Sequence, residues 1–515
     1  MKTRRDFLAG LLGSAAVPAL QGAARAGTPA NQVTPAALAA DPRRPQYHLL
    51  PAANWMNDPN APIYWNGSYH MFYQYNPNGA YWGDMHWGHA VSADMVHWRH
   101  LPVALEPTPG GPDANGCFTG TAAIQDGRVA ILYTGVRAAA LDDATIKDAV
   151  PPLRETQCLA VAADRDLNSW QKAPVPVIAA PPPHLQVNGF RDPSPWRQGD
   201  WWYLVAACGL ANQGGAVLLY RSRDLHNWEY MHILAQRDRS GPAAFDSFDP
   251  WEVWECPEFF PLGDWHVLIY STAGKTYWQS GKLDEQTMIF HPEQAGIADY
   301  GSFYAAKTQL DKTGNRILWG WIQETRPLNE YKGAGWAGVM SLPRVLTVAA
   351  DGRLRFRVAA EVEQLRGRES SIDVSASEET KQQQIDALRI EGCCGELLLV
   401  CERTSHSAEL TIAGSEEKAP WLRLKYDPAY PRQLFVDGRP LPLPLDGDEA
   451  IELHLYCDGS VLEVFANDRT ACTRRFYYSG NNPQSARIKW TGSTAGIRRL
   501  SVWQLSPISS NRLTT

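Results

Sequence analysis

From Tyr47 onward the apolar positions come in short runs of β-forming residues cut by tight turns, not at the three-to-four-residue spacing of a helix. Ala61 to Trp65 and Ser68 to Tyr75 flank Asn66-Gly67, and Ala122 to Ile124 and Val129 to Tyr133 flank Asp126-Gly127. Such pairs close hairpins because their residues tolerate φ > 0. Three more turns of this kind, Gly199-Asp200, Gly263-Asp264 and Gly314-Asn315, continue the series, at successive steps of 60, 73, 64 and 51 residues. That period suits one sheet per unit, and five units of about four strands predict an all-β, five-bladed β-propeller over residues 45–345. The alternative is a sandwich with irregular loops. A second echo, Asp94 to Trp98, Asp166 to Trp170 and Asp224 to Trp228, shares Asp-x-x-x-Trp and fits the closure of an outer strand. Beyond the propeller, residues 346–369 form a linker, with helical character from Glu361 to Arg366. Alternation then returns, as in Ile451 to Tyr456 and Val461 to Phe465, and predicts a β-sandwich domain over 370–510.

The repeat places three acids at matching positions. Asp58 lies 8 residues before Asn66, Asp192 lies 7 before Gly199, and Glu255 lies 8 before Gly263, while Thr119 lies 7 before Asp126. Radial repetition superposes equivalent positions, so carboxylates far apart in sequence converge on one funnel. An isolated Asp-Pro pair is an ordinary turn former, and Arg191-Asp192 alone fits a structural ion pair. The recurrence is what singles them out. Two carboxyl groups facing one sugar ring, one ionised and one protonated, are the minimum equipment for glycoside hydrolysis. Asp58 sits between Asn57 and Asn60, whose amides favour the carboxylate of a nucleophile. Glu255, near Trp251, Trp254, Phe259 and Phe260, suits an acid/base whose proton is retained by desolvation. Asp192, next to Arg191, suits an ionised group that binds ring hydroxyls and stabilises an oxocarbenium-like transition state.

Composition adds an address. The chain has 515 residues, 44% hydrophobic and 20% charged, with 20 Trp and 20 Tyr, a supply of flat amphipathic surface suited to stacking on sugars. Thr3-Arg4-Arg5-Asp6-Phe7-Leu8, an apolar run to about Leu20 and Ala24-Arg25-Ala26 form a twin-arginine export pattern, which predicts a cleaved signal over residues 1–26 and a periplasmic or secreted protein. Residues 27–44, rich in Ala, Pro and Thr, are expected to be a disordered lead-in. The signal carries a net +3, so the total of −7 becomes −10 after its removal, unsuited to nucleic acid. No later stretch is apolar enough to span a membrane. The 9 cysteines lack metal-ligand spacing; most are expected as buried thiols, with some pairing among Cys393, Cys394, Cys401, Cys457 and Cys472 open after export. His86 and His89 have no third ligand at defined spacing, and two-carboxyl chemistry needs no cofactor. Cys256 has no His-Asp partners and is expected to be a packing thiol.

Trp55-Met56-Asn57-Asp58-Pro59-Asn60, Phe190-Arg191-Asp192-Pro193 and Trp254-Glu255-Cys256-Pro257, in that order, resemble the signatures of glycoside hydrolase family 32, the invertases, levanases and fructan exohydrolases. The resemblance spans nearly all of residues 47–505. It implies a propeller joined to a sandwich and a retaining mechanism on β-fructofuranosides, with sucrose or fructan as substrate. Asp58 would be the nucleophile, Asp192 the transition-state stabiliser and Glu255 the acid/base. Asn57, Gln74, Trp82, Phe118, Thr119, Arg191 and Trp321 would line the fructose subsite. A fructosyltransferase using the same covalent intermediate, and a non-catalytic fructan-binding protein, remain as alternatives. The sequence departs from the family at Ala61, where glycine is usual, so the turn there is expected to avoid φ > 0. Thr276 stands where sucrose cleavers of the plant type carry an Asp, which leaves room for levan or inulin ends.

Overall fold

The computed structural model describes residues 33–237, 252–403, 405–414, 419–478 and 484–515; the signal at 1–26, the start of the lead-in and Trp251 lie outside the described residues. Each of the five turns foreseen in the sequence joins the first two strands of a separate antiparallel sheet. The first strands are Asn54–Trp65, Gly116–Gln125, Val187–Gln198, Glu255–Leu262 and Phe303–Leu310. Each packs against the first strand of the next sheet, and the fifth packs against the first, so the ring closes and these five are the inner strands of a propeller. The Asp-x-x-x-Trp segments lie before the outer strands of blades 1 to 3. In each the indole N–H donates to the carbonyl three residues back, Met95, Leu167 or Leu225, at 3.0, 3.1 and 2.9 Å.

The fifth blade runs past the expected boundary at 345. Its outer strands are Arg344–Val348 and Leu354–Val358, so residues 346–358 belong to a blade, and the linker shrinks to a 3-10 turn, Ala360–Leu365. Trp336–Ala337 also leaves the fifth unit and adds in parallel to the inner strand of blade 1, lacing the ring shut. The lead-in is corrected too. Residues 35–40 form a helix capped by Thr34 with Pro35 at its start. Leu38 packs into the same core as Trp336, and buried Arg44 donates to the carbonyls of Pro51 and Arg512. Composition alone missed this because the few apolar and cationic groups that anchor the segment find partners far along the chain.

The second domain is a sandwich of two antiparallel six-stranded sheets, around one apolar core that includes Leu397, Leu410, Ile488 and Val502. It grips the propeller through backbone and charge. Tyr300 and Ser302 N–H donate to the carbonyls of Ala471 and Thr473, and a Cβ on Gly301 between them would collide with the Thr473 carbonyl. Beside this contact, Arg344 of blade 5 lies 2.9 Å from Asp299 and 2.5 Å from Glu463 of the sandwich, all fully buried. His48 bridges Glu463 and Asp458 at 3.0 and 2.8 Å. Burial acts against its charge, but the hydrogen bonds to the two carboxylates outweigh it and raise His48 to about 9.

Replacing one member of such a network leaves buried charge uncompensated. Arg344→Met is expected to lower unfolding stability by about 3–5 kcal/mol, measured by urea denaturation. An unchanged midpoint would show that the network does not hold the two domains.

Candidate active site

Each inner strand carries a β-bulge at about the same height, and the bulges hold the site. Pairing with the second strand slips at Asn57-Asp58 in blade 1, at Thr119 in blade 2, at Asp192-Pro193 in blade 3, at Cys256-Pro257 in blade 4 and at Ala305-Ala306 in blade 5. A bulge kinks the strand and re-aims side chains toward the axis. Asp192, Cys256 and Ala305 take φ of 60°, 51° and 55°, a strained region for non-glycine residues that the closed ring enforces. Ala61 also sits at positive φ, 40°, contrary to expectation. It lies in a second irregularity of the inner strand of blade 1, fully buried, where the register and not the residue's preference sets the backbone.

The three acids meet around one residue, Cys256. Its backbone N–H donates to Asp192 Oδ2 at 2.8 Å, its thiol lies 3.5 Å from Asp58 Oδ2, and Glu255 precedes it. Burial, with Asp192 and Asp58 nearby, pushes the thiol well above its usual range, which fits a packing thiol and not a nucleophile. Asp58 also accepts from Asn57 Nδ2 at 2.9 Å and Thr119 Oγ1 at 2.8 Å. Asn60 does not join it. Turned so that both of its ends find partners, its carboxamide oxygen accepts from Gln74 N–H and Trp87 Nε1, at 3.2 and 3.1 Å. Gln74 donates to Cys117 O and Thr119 Oγ1 at 3.1 and 3.4 Å.

Glu255 is held by polar groups. Tyr304 Oη donates to Oε2 at 2.6 Å and Arg191 Nη1 to Oε1 at 3.3 Å. Trp254 is turned away by strand alternation and stacks on Tyr270, and Phe259 packs there too, so these rings are not the walls expected around Glu255. Asp192 is the second correction. Arg191 lowers it, but burial acts more strongly, Glu255 and Asp58 add to the rise, and the group reaches about 7. Three buried carboxyls and one shared guanidinium thus keep a proton to near neutrality.

Phe118 meets Trp82 edge-on, with centroids 5.9 Å apart, and Trp321 meets Trp55 at 5.8 Å. Among the described residues the indole N–H groups of Trp82 and Trp321 are buried without a hydrogen-bond partner. One pleat further along the axis, Lys307 joins Glu258 at 3.0 Å and Thr121 at 2.9 Å, and Ser194 donates to Glu258 at 2.8 Å, which ties four blades together beneath the pit. His89 bonds to His70 at 3.0 Å and stacks on Phe72, and all 9 cysteines are free and buried.

Sequence reasoning passed over Tyr304, Thr134 and Glu155. Thr134 Oγ1 accepts from the backbone N–H of Asp192 at 2.8 Å. Counting back from the fifth turn reaches Ala306 and Lys307, close to Tyr304, so the period carried a partial signal for it. Glu155 lies on the third strand of its blade, where the inner-strand count says nothing.

Residues 48–357 match the Glycosyl hydrolases family 32 N-terminal domain and residues 361–504 the Glycosyl hydrolases family 32 C terminal. Sucrose-6-phosphate hydrolase of Escherichia coli is 34% identical over 485 residues, covering 90% of this chain and 94% of its own length. Raffinose invertase of Escherichia coli is 34% identical over 476 residues, covering 85% and 90%. Among solved structures, the family 32 beta-fructofuranosidase of Bombyx mori superposes with a TM-score of 0.73 at 29% identity, covering 91% of this chain and 96% of that one. Fructan 1-exohydrolase IIa of Cichorium intybus gives 0.74 at 26% identity, covering 90% and 98%. With fold and sequence agreeing, this chain belongs to glycosyl hydrolase family 32 and is a glycoside hydrolase of the β-fructofuranosidase type.

Proposed function

We propose that this chain is an exported, retaining β-fructosidase that releases fructose from sucrose or from the ends of fructans. The observation that carries the reading is the meeting of Asp58, Asp192 and Glu255, from three blades, around Cys256. Asp58 attacks the anomeric carbon of the fructosyl ring while Glu255 gives its proton to the departing oxygen, which leaves a fructosyl ester on Asp58. Glu255, now ionised, takes a proton from water as that water attacks the same carbon and frees Asp58. Asp192 accepts from ring hydroxyls and stabilises the positive charge that develops on the ring. Asn57 and Thr119 orient Asp58, Gln74 supports Thr119, Arg191 reaches Glu255, and Phe118 packs against Trp82. The unpartnered indole N–H groups of Trp82 and Trp321 are donors suited to a hydroxyl-rich ligand. Sucrose and fructan as substrates are supported by the names of the relatives, and export by the twin-arginine pattern at Arg4-Arg5. Thr276 is fully buried and bonds to Ser271 at 3.0 Å, so no carboxylate stands at that point. Release of fructose from sucrose, sucrose 6-phosphate, inulin and levan, measured side by side, ranks the substrates.

Asp58→Ala is expected to lower kcat on sucrose by on the order of 10⁴-fold or more, and Glu255→Gln by about 10²–10⁴-fold, with the fold retained. Parent-like fructose release by both variants would overturn the assignment. The kcat/KM profile is expected to carry a basic limb, because the first step consumes the proton that Glu255 donates to the leaving oxygen. A pH–rate profile with no basic limb below strongly alkaline pH would contradict this.

A further inference from the structure

Arg191 places a full positive charge 3.3 Å from Glu255. A cation at that distance favours the ionised carboxylate, and an ionised Glu255 has no proton for the leaving group. The structure divides this charge. Arg191 Nε lies 2.8 Å from Oε1 of Glu155, a carboxylate on strand Leu153–Ala162 of blade 2. Glu155 is fully buried, and Thr145 Oγ1 and the Phe190 N–H donate to its other oxygen at 2.9 and 2.7 Å. Its own N–H returns a 3.0 Å bond to Thr145 Oγ1. A buried carboxylate needs such partners, so the site is built to keep one there. Gly189 adds to the case. It takes φ +71°, and a Cβ on it would come within 2.8 Å of Arg191 Nη2 and 3.0 Å of Val253, so the backbone is bare where the guanidinium crosses.

We propose that Glu155 is a positioning residue for the fructosidase reaction: it holds the Arg191 guanidinium between blades 2 and 4 and draws off part of its charge, so that Glu255 keeps its proton at the pH of turnover. The proposal rests on the reading of Glu255 as the acid. Among the described residues, the charged and titratable groups around Glu255 include Arg191 on blade 3, Tyr304 on blade 5, Asp192 and Asp58 across the pit, and the neighbouring Cys256 thiol. Glu155 faces Arg191, Thr145 and the Phe190 N–H. Arg191 forms ion pairs with both carboxylates, so a change of charge at 155 is transmitted through it.

Glu155→Gln keeps the shape and removes the charge; Glu155→Asp keeps the charge on a shorter arm. With sucrose, Glu155→Gln is expected to move the basic limb of the kcat/KM profile to lower pH by about one unit, which costs about tenfold in rate on that limb. Rates on the acid side stay near the parent's, and Glu155→Asp falls between the two. With β-fructosyl fluoride, whose leaving group needs no proton, the Glu155→Gln deficit is expected to vanish. An equal loss at every pH and on both substrates, with the limbs unmoved, is the signature of a merely structural residue and would overturn the proposal. Sucrose hydrolysis at the parent rate by Glu255→Gln would instead remove the acid assignment beneath it, so the two failures are told apart.

Discussion

Three carboxylates packed around one peptide unit repel each other, and a fold that brings them together must both enforce the approach and absorb the charge. Enforcement comes from ring closure. Five inner strands, each touching the next, leave no freedom to relax outward, and a bulge in each turns its side chains to the axis. Charge is absorbed by donors on every side: Thr119 and Asn57 on Asp58, the Cys256 N–H on Asp192, and Tyr304 and Arg191 on Glu255. What the donors do not absorb is met by a retained proton. Burial and the nearness of Glu255 and Asp58 put that proton on Asp192.

The sandwich and the N-terminal segment serve the same closure. Trp336–Ala337 adds to blade 1, the helix of residues 35–40 packs on Trp336, and Arg44 reaches the carbonyl of Arg512. The Arg344–Glu463–His48–Asp458 network then joins blade 5, the N-terminal segment and the sandwich through buried charges that leave little tolerance in spacing. No sandwich side chain touches the three acids in the bonds described above. The sandwich meets the propeller through the Tyr300–Ala471 and Ser302–Thr473 backbone bonds and the buried charges at Arg344.

The sequence displayed the ring and its acids because both leave local marks. A hairpin turn at positive φ demands Gly, Asn or Asp, and five such turns at a long period count the blades; a fixed offset from each turn then finds Asp58, Asp192 and Glu255. The bulges left no such mark, since Asp192, Cys256 and Ala305 hold positive φ without glycine, under tertiary constraint. Pairings across blades were equally hidden. Tyr304 reaches Glu255 and Glu155 reaches Arg191 over separations that no spacing rule encodes. The nearby rings Trp254 and Phe259 suggested an apolar wall for Glu255, but alternation along the strand sends them into the packing between blades. The fifth blade escaped its boundary because the 323–343 excursion, with its short helix Leu328–Ala334, interrupts the strand rhythm before the outer strands resume.

The central claim is that ring closure aims the Asp58 carboxylate at the sugar as the nucleophile. Glu255→Gln slows breakdown of the intermediate more than its formation from β-fructosyl fluoride, so acid-quenched samples of that variant taken during turnover are the place to look. Peptide mass spectrometry of those samples is predicted to show a fructosyl ester on the peptide that contains Asp58. An ester on any other residue, or none on Asp58 while fluoride is still released, would contradict the account.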